Sequence, residues 1–181
     1  MDYEIIRSRR RTLSLQVLPN GQVLVKAPLL MGKRQIDAFV KSKDPWLKRQ
    51  FDRLAESADL PPFSAEELAE LKRQAKVFIP QRAACFAQKM GVRFGRVAIR
   101  SQRTRWGSCS GKGNLNFNCL LMLVPDEVRD YVIVHELCHL REMNHSPRFW
   151  AAVESVLPDY KLRRKWLKEH GSAIISRLAA E

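Results

Sequence analysis

Histidine and cysteine are both scarce in this chain, four of each among 181 residues. Cys85, Cys109, Cys119 and Cys138 have neither the paired CxxC spacing of a zinc ribbon nor the density of a secreted disulfide framework, so reduced and mostly buried thiols are expected. No run of about 18 uncharged apolar residues occurs, so no membrane-spanning helix is expected. The opening MDYEIIRSRRR is charged where a signal peptide carries its apolar stretch. Together these absences predict a soluble, cytoplasmic protein with no membrane partner. Acidic residues are also short, 19 against 32 Lys and Arg, for a net charge of +13.

The chain does hold enough apolar material, 45% of its residues, for one substantial core or one core with a small appended subdomain. Its positive charge is partly clustered. Residues 1–50 carry 11 Lys and Arg against 4 acids, and residues 92–112 carry Arg93, Arg96, Arg100, Arg103, Arg105 and Lys112 with no acid. Such a surface serves either as a solvated face that keeps the protein in solution or as a nucleic-acid contact.

Apolar alternation at Leu13, Leu15 and Val17, and again at Val23 and Val25, flanks Pro19-Asn20-Gly21. The Asn-Gly pair suits the positive φ angles of a tight turn, which predicts an N-terminal β-hairpin. Over residues 33–58, Ile36, Phe39, Val40, Trp46, Leu47, Phe51 and Leu54 recur at helical spacing, with Pro45 opening a second helix. Ser64 with Glu66 and Glu67 reads as the capped start of a long helix that Gly91 ends and Pro80 kinks or divides. Residues 96–103 and 114–118 read as strands around a polar, glycine-bearing segment. Pro125-Asp126-Glu127 starts a helix expected to reach about Met143, Pro147 opens a short one through Val156, and Pro158 precedes a last one.

Three of the four histidines fall within YVIVHELCHLREMNH, residues 131–145. His135 and His139 stand one helical turn apart, so their imidazoles share a face and can converge on Zn²⁺ at about 2.0 to 2.1 Å. Glu136 is then beside the metal without being a ligand, the place for a base acting on water. Tyr131, Val132, Ile133, Val134, Leu137, Cys138 and Leu140 make the surroundings apolar, and ionisable groups buried there need a partner or a metal. His145 stands where the last histidine of HExxHxxGxxH does, with Glu142 in place of the glycine and Asn144 as the candidate turning residue. Glu154, on the following helix, is the rival third ligand. Residues 114–118 read either as an edge strand that pairs with an extended peptide or as a core strand. Trp106 and Trp150 read as core anchors or substrate stackers, Cys138 as packing, and Tyr160 as a candidate oxyanion donor.

The segment HELCHLREMNHSPRFW, preceded by RTRWGSCSGKGNLNFN and LVPDEVRDYVIV, resembles the YgjP-like metallopeptidase family of metal-dependent hydrolases, related to SprT-like and WLM zinc proteases. The likeness runs nearly end to end, from the N-terminal hairpin and Trp46 to the His-Ser-x-x-Phe-Trp ending. It implies an α+β fold: a zincin-like core over residues 61–181, with a small sheet packed on an active-site helix, and an N-terminal β-hairpin and helix subdomain over residues 1–60. It implies one zinc per chain on His135, His139 and His145, with Glu136 as catalytic acid and base. Residues 105–109 and 114–118 would wall the cleft, and Arg105, Trp106, Asn116 and Asn118 would contact a peptide or protein substrate. SprT-like and WLM relatives act on proteins associated with DNA. The expected activity is zinc-dependent peptide hydrolysis by activated water. Hydrolysis of a non-peptide amide or ester uses the same groups, and a nucleic-acid-binding protein with a structural zinc requires a fourth protein ligand.

Overall fold

The computed structural model describes residues 2–18, 20–58 and 61–178, with all side chains but those of residues 53 and 56–58. The chain divides into two compact units, Met1–Pro61 and Pro62–Glu181. In the first, strands β1 (Glu4–Ser8), β2 (Ser14–Val17) and β3 (Val23–Pro28) form a sheet ordered β1-β3-β2, followed by helices α1 (Lys33–Lys41) and α2 (Asp44–Ala58). β2 and β3 run antiparallel, with Leu15 opposite Val25, and the Leu18 N–H donates to the Gln22 carbonyl across the turn. Gly21 has a φ of 82° while Asn20 keeps a negative φ and accepts the Gln22 N–H through Oδ1. The expectation that both Asn20 and Gly21 supply positive φ is therefore corrected, because the glycine alone absorbs the left-handed position. Pro19 lies outside the described residues. β1 pairs in parallel with β3 and has no counterpart in the sequence reading: only Ile5 of its residues is not exposed, so no alternation marks it. Val23, Val25, Ala27, Ile36, Val40 and Leu47 form the core of this unit.

The second unit contains α3 (Ala65–Met90), β4 (Val97–Arg100), β5 (Gly107–Cys109), β6 (Leu115–Asn118), a 3₁₀ turn at Cys119–Leu123, α4 (Asp126–Cys138), α5 (Pro147–Val156) and α6 (Tyr160–Ser176). A reciprocal box starts α3: the Glu67 N–H donates to Ser64 Oγ at 3.1 Å and the Ser64 N–H to Glu67 Oε2 at 2.8 Å. Gly91, at φ 62°, ends it. Pro80 sits inside α3, which runs on from Ala65 to Met90, so of the expected kink or division the division does not occur. Leu71, Ala75, Ile79, Ala83 and Ala87 recur every fourth residue as its buried stripe. Their small members let α3 approach α4, against which it packs.

The second sheet is ordered β4-β6-β5, with β6 parallel to β4 and antiparallel to β5. Residues 114–118 therefore do not form an edge: β6 is central, and Leu115 and Phe117 are fully buried on the face towards α4. The edges are β4, which packs on α3, and β5, which lies on α4. Two arginines fix α4. Arg82 on α3 grips Asp130 through Nε and Nη2 at 2.7 and 2.5 Å, and buried Arg129 donates to the Leu121 carbonyl at 2.8 Å while pairing with Asp126 at 3.0 Å. α4 stops at Cys138, short of the expected Met143. The N–H groups of Arg141 and Glu142 both turn back to the Cys138 carbonyl, tightening the chain out of the helix.

Loss of the α3 cap gives a direct check: Ser64→Ala should lower the stability of this unit by about 1 kcal/mol, read as a lower urea midpoint at unchanged slope.

Candidate metal centre

α4 presents His135 and Glu136 on its last turn, and His139 is the residue that caps it. The loop after it carries His145 back towards the helix just before Ser146, whose Oγ accepts the Phe149 N–H and starts α5. The chain makes this turn without any left-handed residue: among the described non-glycine residues none has positive φ, so Asn144 is not the turning residue expected and Glu142 needs no glycine in its place. The loop is held from outside instead. Arg141 Nη2 donates to the Met90 carbonyl at 2.5 Å and to that of Gly91 at 3.3 Å, using acceptors left open at the end of α3.

The ring nitrogens of His135, His139 and His145 then lie within 4.8 Å of one another. His135 Nε2 and His145 Nε2 face each other at 3.0 Å. The His139 ring lies with its Nδ1 3.1 Å from the Glu142 carbonyl. A carbonyl only accepts, so Nδ1 carries the proton and Nε2 keeps its lone pair for the cluster, the support commonly given to a metal-bound histidine. Burial pushes His135 down to about 3, with the neighbouring His139, His145 and Arg164 acting in the same direction. A gap of this length is bridged either by the Nε2–H of one neutral imidazole or by a metal ion, while burial disfavours an imidazolium there. The donor set thus fits a metal: tetrahedral nitrogens at about 2.1 Å from zinc stand about 3.4 Å apart. Glu154 is not part of this group; it faces Lys161 at 3.4 Å.

Glu136 is 6% exposed, and burial pushes its carboxyl up to about 8, against the opposing pull of Arg105. It lies directly under β5, where a Cβ on Gly107 would come within 2.7 Å of its Cγ and Oε1. Arg105 is exposed and close enough for its charge to act on Glu136. Trp106 is half-buried, with its indole against Gly171 of α6, a contact that anchors the strand. Asn116 lies on the sheet face turned away from α4, opposite Ser108 in register and bonded to Ser108 Oγ at 3.2 Å. Asn118 is fully buried; its Nδ2 donates to the Gln102 and Arg105 carbonyls at 2.6 and 3.1 Å and its Oδ1 accepts the Leu120 N–H at 3.1 Å. The substrate contact expected of Asn118 is corrected accordingly, since it has no surface, while Asn116 is half-buried on the far face of the sheet.

A stack of rings backs the cluster. His145 lies over Trp150 with centroids 5.7 Å apart, Trp150 over Tyr160 at 5.4 Å, and the Arg164 guanidinium 4.5 Å from the Trp150 ring. Tyr160 is buried in that stack. Arg164 and the Gly107 contact escape sequence reading, because neither belongs to a spacing pattern. The thiols do not enter: burial pushes Cys138 up to about 11, and Cys109 is raised by burial and by Glu136.

Matched against known proteins, residues 65–170 fit the YgjP-like metallopeptidase domain, more than half of the chain. The chain belongs to the YgjP-like metallopeptidase family. Metal-dependent peptide hydrolysis is the activity class of that family. Among solved structures it is similar to the metallopeptidase zymogen of Pyrococcus abyssi abylysin, at 23% identity over 51% of this chain and 94% of that one, with a TM-score of 0.46. It is also similar to the zymogen of Methanocaldococcus jannaschii jannalysin, at 17% identity over 49% and 94%, with a TM-score of 0.43. No curated protein matches the chain by sequence. Among the described residues no helix is long and apolar enough to cross a membrane.

The role given to Asn118 is open to test. Asn118→Leu should destabilise the protein by about 3 kcal/mol or more, since it strands two carbonyls and an N–H in the interior, as urea denaturation would show. A purely surface, substrate-contacting asparagine would tolerate the change.

Proposed function

We propose that this metallopeptidase is a zinc enzyme whose catalytic domain is the unit Pro62–Glu181, with His135, His139 and His145 as ligands and Glu136 as general base. The observation that carries the reading is the convergence of three histidine nitrogens within 4.8 Å beside a buried carboxylate on the same helix turn. When bound, the metal supplies Lewis acidity towards water and the scissile carbonyl. Glu136 takes the proton of the attacking water and returns it to the leaving nitrogen. Its elevated proton affinity, about 8, suits a group that must both accept and donate near neutral pH. Arg105 lies on the same side and is the residue positioned to meet a substrate carbonyl or carboxylate.

The peptide substrate pairs with β5 rather than β6. Hydrogen bonds from the Asn118 N–H to the Trp106 carbonyl and from the Ser110 N–H to the Asn114 carbonyl set the ladder register. In that register Ser108 faces β6, and the backbone groups of Gly107 and Cys109 point outward. An extended peptide can add there as a further strand, directly above Glu136.

The test is elemental analysis of wild type, Glu136→Gln and His145→Ala, alongside hydrolysis of labelled casein. About one zinc per chain is expected in the wild type and in Glu136→Gln, whose turnover should fall by roughly 10² to 10⁴; His145→Ala should lose zinc. A folded, never-chelated wild type without stoichiometric transition metal sinks the proposal.

A further inference from the structure

The geometry points to Gly107 as the residue that positions Glu136, an inference that rests on the general-base reading above. Glycine in a strand is costly, losing more backbone entropy than any other residue and adding no packing, so its presence asks for a reason. Backbone conformation is not that reason. Among the described glycines only Gly21, Gly91 and Gly113 have positive φ, so Gly107 holds an angle open to any residue. Close approach is the reason. A Cβ at Gly107 would lie 2.7 Å from Glu136 Cγ, 2.7 Å from Oε1 and 2.9 Å from Cδ, whereas nothing lies within 4 Å of one built at Gly111, four residues on.

Neither side of this contact can retreat. The strand is pinned from behind: the Trp106 carbonyl accepts the Asn118 N–H at 2.8 Å, the buried Asn118 amide holds the Gln102 and Arg105 carbonyls, and the Trp106 indole presses on Gly171. Opposite it, α4 is buried around Ile133, Val134 and Leu137 and tied by Arg82 and Arg129. What yields to an added methyl is the Glu136 side chain. The clash reaches Cγ, one bond beyond Cβ, so relief requires a new χ1 and moves the carboxylate away from where the bare Gly107 backbone holds it. Gly107 is thus a positioning residue: its missing side chain is the wall against which the carboxylate is aimed.

A double-mutant cycle with Glu136→Ala tests this by thermal denaturation, without needing substrate. Gly107→Ala should lower Tm in the wild-type background, and the loss should disappear when the Glu136 side chain is also gone; equal losses in both backgrounds would overturn the inference. With labelled casein, Gly107→Ala should keep its zinc and KM while kcat falls on the order of 100-fold, the scale of an ångström-sized misplacement. Gly111→Ala, in the same segment but facing open space, should match wild type in both readouts. Wild-type turnover in Glu136→Gln overturns the general-base reading and this inference with it. An inactive Glu136→Gln beside a fully active Gly107→Ala overturns the positioning inference alone.

Discussion

The larger unit is organised by one electrostatic constraint: α4 is buried on nearly every side yet carries ionisable groups on its last turn. Moving a carboxylate or imidazolium out of water costs several kcal/mol unless something compensates. The compensation for Arg129 is local, through the Leu121 carbonyl and Asp126. For Asp130 it is the Arg82 fork from α3. His135 and Glu136 have no close ion pair of this kind: the buried Nδ1 of His135 finds no hydrogen bond, and burial disfavours the charged form of both groups. The helix thus concentrates its uncompensated cost at one spot, where three imidazole nitrogens meet. A site that relieves that cost on binding a cation couples metal affinity to folding.

How the third histidine reaches the spot follows from packing rather than turn chemistry. The loop of residues 139–146 has no glycine and no left-handed residue; it is shaped by its anchors. Arg141 fastens its middle to the end of α3, the His139 ring holds the Glu142 carbonyl, and Ser146 caps α5. Phe149 then fills the space beneath all three imidazoles, with centroids 4.6 to 4.8 Å from each. A fully buried ring there keeps the histidines splayed around a common centre and excludes water from below.

Local signals explain what could be read beforehand. The Ser64 cap, the Gly91 stop, the Pro147 start and the alternation across Leu15 and Val25 are encoded within a few residues, and each is found in place. So are the i, i+4 histidines. Features set by distant neighbours were not legible. The order β4-β6-β5 makes residues 115–118 central although their pattern fits edge and core alike, and Asn118 became structural because loop carbonyls converge on it. The helix end at Cys138, β1, and the contact between Gly107 and Glu136 likewise depend on elements far away in sequence.

The excess of positive charge, which sequence composition leaves divided between solubility and nucleic-acid contact, has a third consequence at the site itself. Arg164 disfavours protonation of His135, and Arg105 favours ionisation of Glu136. Both push in the direction a metal centre needs, since a ligand imidazole must be neutral and a base must be able to shed its proton. Burial helps the first requirement and opposes the second, so the two arginines are not equivalent. Arg164 reinforces what desolvation already does to His135, whereas Arg105 works against desolvation and keeps Glu136 within reach of neutral pH. Arg105 is not among the groups that shift His135 or His139, so removing its charge would act on Glu136, and on a substrate group it meets, while leaving the histidine cluster untouched.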